Sequence, residues 1–164
     1  MITVRVAVPR DVPAVDFILG ESYPRLMAGA YEPSLLAEAL PMMVRANLGL
    51  LASGTYYLAE ADGAPAGCGG WTFEEPGTGA LEPGTAHIRH FAVRPSWTGR
   101  GVGRLLYRQC ERAARAAGAR RFVCFSSLNG KAFYRALGFE GERVVEIAMG
   151  PAVRLPSVIM HREI

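Results

Sequence analysis

Apolar positions change their period along this chain, and each change marks an element. Ile2, Val4 and Val6 alternate with polar residues, so residues 2–8 read as a strand with one buried face. Pro9-Arg10-Asp11 ends it, and Asp11 is placed to cap a helix that gathers Val12, Val15, Ile18 and Leu19 on one side. Pro24, Gly29 and Pro33 punctuate residues 21–31, which predicts a helix end and a mobile connection. Over residues 34–51, Leu35, Leu36, Leu40, Met43, Val44 and Leu48 return to helical spacing, with a break or bend near Pro41. Residues 55–60 and 65–74 then read as strands joined by a hairpin at Asp62-Gly63. The Pro- and Gly-rich residues 75–84 form a loop, and 85–93 is the central strand.

After Pro95 the pattern changes again. Gly99, Gly101 and Gly103 recur at every second position, and from Val102 the apolar residues take helical spacing through Leu105, Leu106, Cys110 and Ala114. Gly118 closes this helix. Residues 121–125 form a short apolar strand, 129–137 a short helix ended by Gly138, and 139–148 and 153–160 two strands joined across Gly150-Pro151. The order β-αα-βββ-α-β-α-ββ belongs to a mixed α/β class, and no repeat or linker divides it, so residues 1–164 are expected to form a single domain.

A glycine loop that opens a helix is an anion site in waiting. The first helical N–H groups lack internal partners, the helix dipole places positive charge there, and glycines let a phosphate approach the backbone. Arg100 and Arg104 add formal charge. A dinucleotide fingerprint is excluded because Arg104 stands where its third glycine should be, and no Gly-Lys-Ser/Thr is present for a nucleotide P-loop. The plainer alternative is a tight strand-to-helix turn that holds no ligand.

Val93-Arg94-Pro95 followed by Thr98-Gly99-Arg100-Gly101-Val102-Gly103 resembles the cofactor loop of the GCN5-related N-acetyltransferases (GNAT), with Thr98 where Gln or Arg is usual. Asn129-Gly130-Lys131-Ala132-Phe133-Tyr134, ending in Gly138-Phe139, is similar to that family's later motif, with Gly130 in place of alanine. The resemblance implies a mostly antiparallel seven-stranded sheet flanked by about four helices and splayed between its fourth and fifth strands. It implies that acetyl-CoA is the cosubstrate, held by the loop residues Thr98, Gly99, Arg100, Gly101, Val102, Gly103 and Arg104. Main-chain groups around Phe91, Ala92 and Val93 would take the pantetheine arm, with Asn129 and Phe133 beside it. Tyr134 would protonate the departing thiolate.

A lysine-like ammonium is not nucleophilic until a base removes its proton, and histidine titrates in the useful range. His87 stands where several family members carry that base, and a structural histidine is the alternative there. Strict alternation puts His87, Arg89 and Phe91 on one face of the strand and Ile88, His90 and Ala92 on the other. His90 reads as structural, and Glu74, Glu75 and Glu82 are reserve bases in the neighbouring loop. Tyr23, Met27, Tyr31, Met42 and Met43 could line an acceptor pocket, though core packing is the simpler reading.

Composition adds a few bounds. Half the residues are apolar and the net charge is only +3, without a basic stripe, so neither nucleic acid nor a membrane is an expected partner. No apolar run reads as long enough to span a membrane, and the N-terminus lacks a signal-peptide core, so a cytoplasmic location is expected. Cys68, Cys110 and Cys124 are odd in number and sit among apolar neighbours, which reads as buried thiols; no metal-ligand spacing occurs. The expected function is transfer of an acetyl group to a small-molecule or peptide amine by direct attack, with a non-catalytic CoA-binding module as the alternative. A homodimer through the last two strands is compatible with the pattern.

Overall fold

The computed structural model describes residues 1–164. Its elements run in the order β1 (Ile2–Val6), α1 (Val12–Leu26), α2 (Pro33–Met43), α3 (Leu48–Ala52), β2 (Tyr56–Ala61), β3 (Ala64–Thr72), β4 (Thr85–Val93), α4 (Val102–Ala116), β5 (Arg121–Ser127), α5 (Lys131–Ala136), β6 (Glu140–Met149) and β7 (Val153–Glu163). The strands form one seven-stranded sheet, ordered β1-β2-β3-β4-β5-β7-β6. Every neighbouring pair is antiparallel except β4 and β5. This is the mixed, mostly antiparallel sheet expected from the resemblance.

The sheet is covered on both faces. α4 lays Val102, Leu106, Cys110 and Ala114 on one side, four residues apart as a helical stripe requires, and these pack with Ala59, Ile88, Phe122 and Phe139. On the other side Val15, Ile18 and Leu19 of α1 and Leu50 and Leu51 of α3 cover Tyr56, Leu58, Cys68 and Ala92. A smaller cluster docks Leu36 and Ala39 of α2 against Val153 and Leu155 of β7. Tyr31 ties that corner, donating to the Pro156 carbonyl at 2.7 Å and accepting from the Leu128 N–H at 2.9 Å.

Local expectations are met in part and corrected in part. α1 ends at Leu26, within the stretch where a helix end is expected, after running through Pro24. The ring forfeits only the bond to the Gly20 carbonyl, in the last turn, while Leu19 and Ser22 stay buried. Asp11 does not cap α1 with its side chain. Its carboxylate instead takes both Arg5 nitrogens, at 2.8 and 2.9 Å, and the Val8 N–H. Of the break or bend expected near Pro41 the chain takes the break: α2 ends two residues past Pro41 and α3 restarts under an Asn47 cap. Residues 33–52 are also long and apolar enough to cross a membrane by length and composition alone, contrary to the sequence reading.

The feature that positions the site lies in β4. Strict alternation fails at His90, whose φ is +56°, and the register with β3 slips between Cys68 and Gly70. This is a β-bulge, one extra residue that re-aims the rest of the strand. Phe91 therefore does not share a face with His87. It turns to the α4 side, against Phe133 and Tyr134. Gly69 makes the room, since a Cβ there would run into the Phe91 ring. β4 and β5 separate just before the bulge: they pair only from Thr85–Arg121 to His87–Val123. The outer halves of both strands then border an open wedge.

Candidate active site

The wedge is lined from four directions. The Arg94 N–H donates to Ala66 of β3, and Ala92 pairs with Cys68. Ladder alternation then aims the main-chain groups of Phe91 and Val93 into the gap. The Phe91 carbonyl takes the Tyr23 hydroxyl of α1 at 2.9 Å, and the His90 carbonyl takes the Tyr56 hydroxyl at 2.7 Å. Two tyrosines from opposite elements thus pin the bulge.

At the loop, Gly99 and Gly101 have φ values of +74° and +86°, a region costly for residues with a Cβ. Gly101 is the N-cap of α4 and brings no side-chain cap. None of the main-chain N–H groups of residues 99–104 donates to another group of the chain; the first to do so is Leu105, which bonds the Gly101 carbonyl. Gly103 lies against Phe133, where a Cβ would come within 2.7 Å of the ring. These donors open onto a cavity of about 500 Å³. Phe91, Ala92, Val93, Thr98, Gly99, Gly101, Val102, Gly103, Arg104, Asn129, Phe133 and Tyr134 all line it. Arg100 does not; its guanidinium lies 5.0 Å over the Trp97 ring, just outside.

A second cavity, about 540 Å³, lies on the other side of the bulge. Tyr23, Phe91, Ser127 and Tyr134 border both, so the two meet at the Phe91–Tyr134 pair. Tyr23, Met27, Met42 and Met43 line this second space, but Tyr31 is engaged with β7 instead. The Tyr134 hydroxyl stays protonated, because burial raises its pKa well above the usual tyrosine value. Beside it the Cys124 thiol is pushed up to about 12 by burial, so no thiolate is available for covalent chemistry. All three cysteines are free and buried.

The histidines of β4 part company. His87 is buried, lines neither cavity, and its Nδ1 has no hydrogen-bond partner. Burial lowers its pKa against the opposing fields of Glu75 and Glu82. The reserve glutamates Glu74, Glu75 and Glu82 also stand outside both cavities. His90, read from sequence as structural, faces the second cavity, with its ring 5.8 Å from that of Tyr23. Its Nε2 lies 3.1 Å from the Met43 carbonyl. A carbonyl can only accept, so that contact places the proton on Nε2 and leaves Nδ1 with a free lone pair. Burial lowers the His90 pKa too, which keeps it neutral. No local pattern in β4 marks this exchange, because the bulge that turns His90 depends on β3. Ser22, Leu26 and Trp97 are further cavity residues that the loop motifs did not indicate.

Known proteins share this architecture. A family model described as the acetyltransferase (GNAT) family matches residues 21–139. No curated protein matches the chain. Among solved structures, a GCN5-related N-acetyltransferase from Rhodopseudomonas palustris, further described as an aminotransferase of class II, superimposes with a TM-score of 0.77 and 22% identity, over 99% of this chain and 95% of that one. The PaiA N-acetyltransferase of Thermoplasma acidophilum, in complex with coenzyme A, gives 0.76 and 18%, over 100% and 99%. The ribosomal-protein-S18-alanine N-acetyltransferase of Escherichia coli gives 0.64 and 17%, over 100% and 94%.

Proposed function

Because the chain belongs to the acetyltransferase (GNAT) family, we propose that it transfers an acetyl group from acetyl-CoA to an amine by direct attack within a ternary complex. The observation that carries this reading is the run of unpartnered N–H groups at residues 99–104, opening onto a cavity that ends at Tyr134. A diphosphate suits those donors and the positive end of α4, and Arg104 adds charge at the same rim. The free edge of β4 at Phe91 and Val93 would take an amide-bearing arm as a further strand takes its neighbour.

Acetyl-CoA would supply an activated acyl group, and the chain's residues then have two protons to move. The Tyr134 hydroxyl, kept protonated by burial, donates to the departing sulfur. The amine must lose its own proton, and His90 is better placed for that than His87, because its unprotonated Nδ1 belongs to a ring facing the second cavity. His87 would need a water chain to take the same role.

Calorimetry with CoA, followed by thiol release from acetyl-CoA over a panel of primary amines, tests the proposal. Binding together with amine-dependent release is the expected result. Absence of binding at millimolar CoA overturns it, and tight binding without transfer to any amine would make the chain a CoA-binding module instead.

A further inference from the structure

The second cavity has a one-sided charge. Arg89 and Arg45 line it, beside a neutral His90, and no aspartate or glutamate does. Arg89 is half-buried, yet its one hydrogen bond is from Nη1 to the Thr72 hydroxyl at 2.8 Å, and no carboxylate pairs with it. Burial works against its charge, and Glu74 offsets this only through its field. A guanidinium remains charged under such conditions, and none of the Arg89 nitrogens is both buried and unpartnered, so its remaining donors stay open to solvent and to a ligand. A carboxylate entering the cavity would pair with those donors by charge-assisted hydrogen bonds. Arg45 stands exposed at the rim, with neither a hydrogen bond nor an ion pair.

A cavity that admits an amine while offering only cations would repel an acceptor carrying nothing but positive charge. We infer that the acceptor is a primary amine that also bears a carboxylate, held by the Arg89 guanidinium with Arg45 guiding entry at the rim. One planar fork matches the two oxygens and single charge of a carboxylate. Arg89 lines the same cavity as the Phe91–Tyr134 pair, so one acceptor spanning that cavity would present its carboxylate to Arg89 and its amine to the junction. A second ammonium, as in a polyamine, finds no acid in the cavity.

The inference rests on the acetyl-transfer reading, and the test separates the two. Amino acids, their carboxamides and spermidine are compared as acceptors by kcat/KM. The expected result is a preference for amino acids over matched carboxamides of about tenfold or more. Arg89→Gln should cut that ratio by about tenfold to a hundredfold, as loss of a charge-assisted hydrogen-bonded pair does, with Arg89→Lys between. Preference for carboxamides or spermidine, or a ratio unmoved by Arg89→Gln, overturns it. Should no amine be acetylated, the transfer reading has failed. Calorimetry of N-acetyl amino acids against their carboxamides on the CoA-loaded protein then decides: selective binding of the acids supports the carboxylate site, and equal or absent binding overturns it. If Arg89→Gln does not fold, Arg45→Gln at the exposed rim should lower the ratio a few-fold, and an unchanged ratio counts against the proposal.

Discussion

Replacing Gly103 with alanine tests whether the loop and α5 form one surface. The added Cβ would stand 2.7 Å from one Phe133 ring carbon and 2.9 Å from the next. Carbon atoms rest about 3.5–4.0 Å apart, so one partner must move by roughly 1 Å. Tyr134 and Phe91, with ring centroids 5.0 and 6.5 Å away, obstruct that movement on their sides, so the Phe133 ring would swing into the cavity it lines. Alanine in a helix is worth about 1 kcal/mol over glycine, while overpacking costs about 1–3 kcal/mol. The net is a loss of about 0–2 kcal/mol, or a Tm lowered by up to about 8 °C at 2–4 °C per kcal/mol. A ring displaced into the cavity should also weaken CoA by about tenfold or more, which is about 1.4 kcal/mol. Phe133→Leu removes the clashing atoms, so the double variant should recover part of both losses, with a coupling of about 1 kcal/mol. Thermal unfolding and calorimetry with CoA measure the four proteins. If Gly103→Ala melts above the wild type and binds CoA equally well, the loop and α5 do not pack as closely as this geometry requires.

Three further outcomes are expected. Tyr134→Phe should lower kcat by about a hundredfold, the low end of general-acid contributions, while CoA affinity measured by calorimetry holds; an unchanged kcat removes Tyr134 from the acid role. His90→Gln should abolish the acid limb of the pH–rate profile for kcat/KM and His87→Gln should leave it in place; the reverse result would return the base to His87. Urea unfolding across pH should show two separate losses. His87 and His90 have folded pKa values below the unfolded value of about 6.5, so stability is full above that pH and falls as the unfolded chain takes up protons the fold refuses. Asp11 is held below the usual carboxylate range, chiefly by Arg5, so its contribution persists above about pH 4 and is lost further down. Asp11→Asn should remove the lower step and cost about 1 kcal/mol, discounted because Arg5 is 44% exposed.

The glycine-loop end of the candidate site was legible because its geometry is set by the backbone. Gly99, Gly101 and Gly103 are visible in the sequence, and positive φ at the first two and close approach at the third are what glycine permits. Phe133 and Tyr134 sit on α5 and Asn129 on the 3-10 turn just before it, so their placement is fixed by one short stretch of chain, and all three fell beside the loop. The acceptor end was not legible in the same way. Which way His90 and Phe91 face relative to His87 depends on a bulge, and that bulge depends on Gly69 in β3 and on the Tyr23 and Tyr56 hydroxyls arriving from distant elements. Strand alternation assumes an unbroken pleat, and one extra residue reverses every assignment after it. Pro24 sits inside α1, two residues before its end, so the proline marked that end only approximately.

The early end of the β4–β5 ladder has a consequence for inhibition. Since the two chambers share Tyr23, Phe91, Ser127 and Tyr134, a compound joining a CoA-like portion to an amino-acid-like portion could occupy both at once. Seating one half raises the effective concentration of the other to the millimolar range or beyond. Such a tethered molecule would outcompete its separate halves without a single new contact, and the length of its bridge would measure the separation of the two chambers.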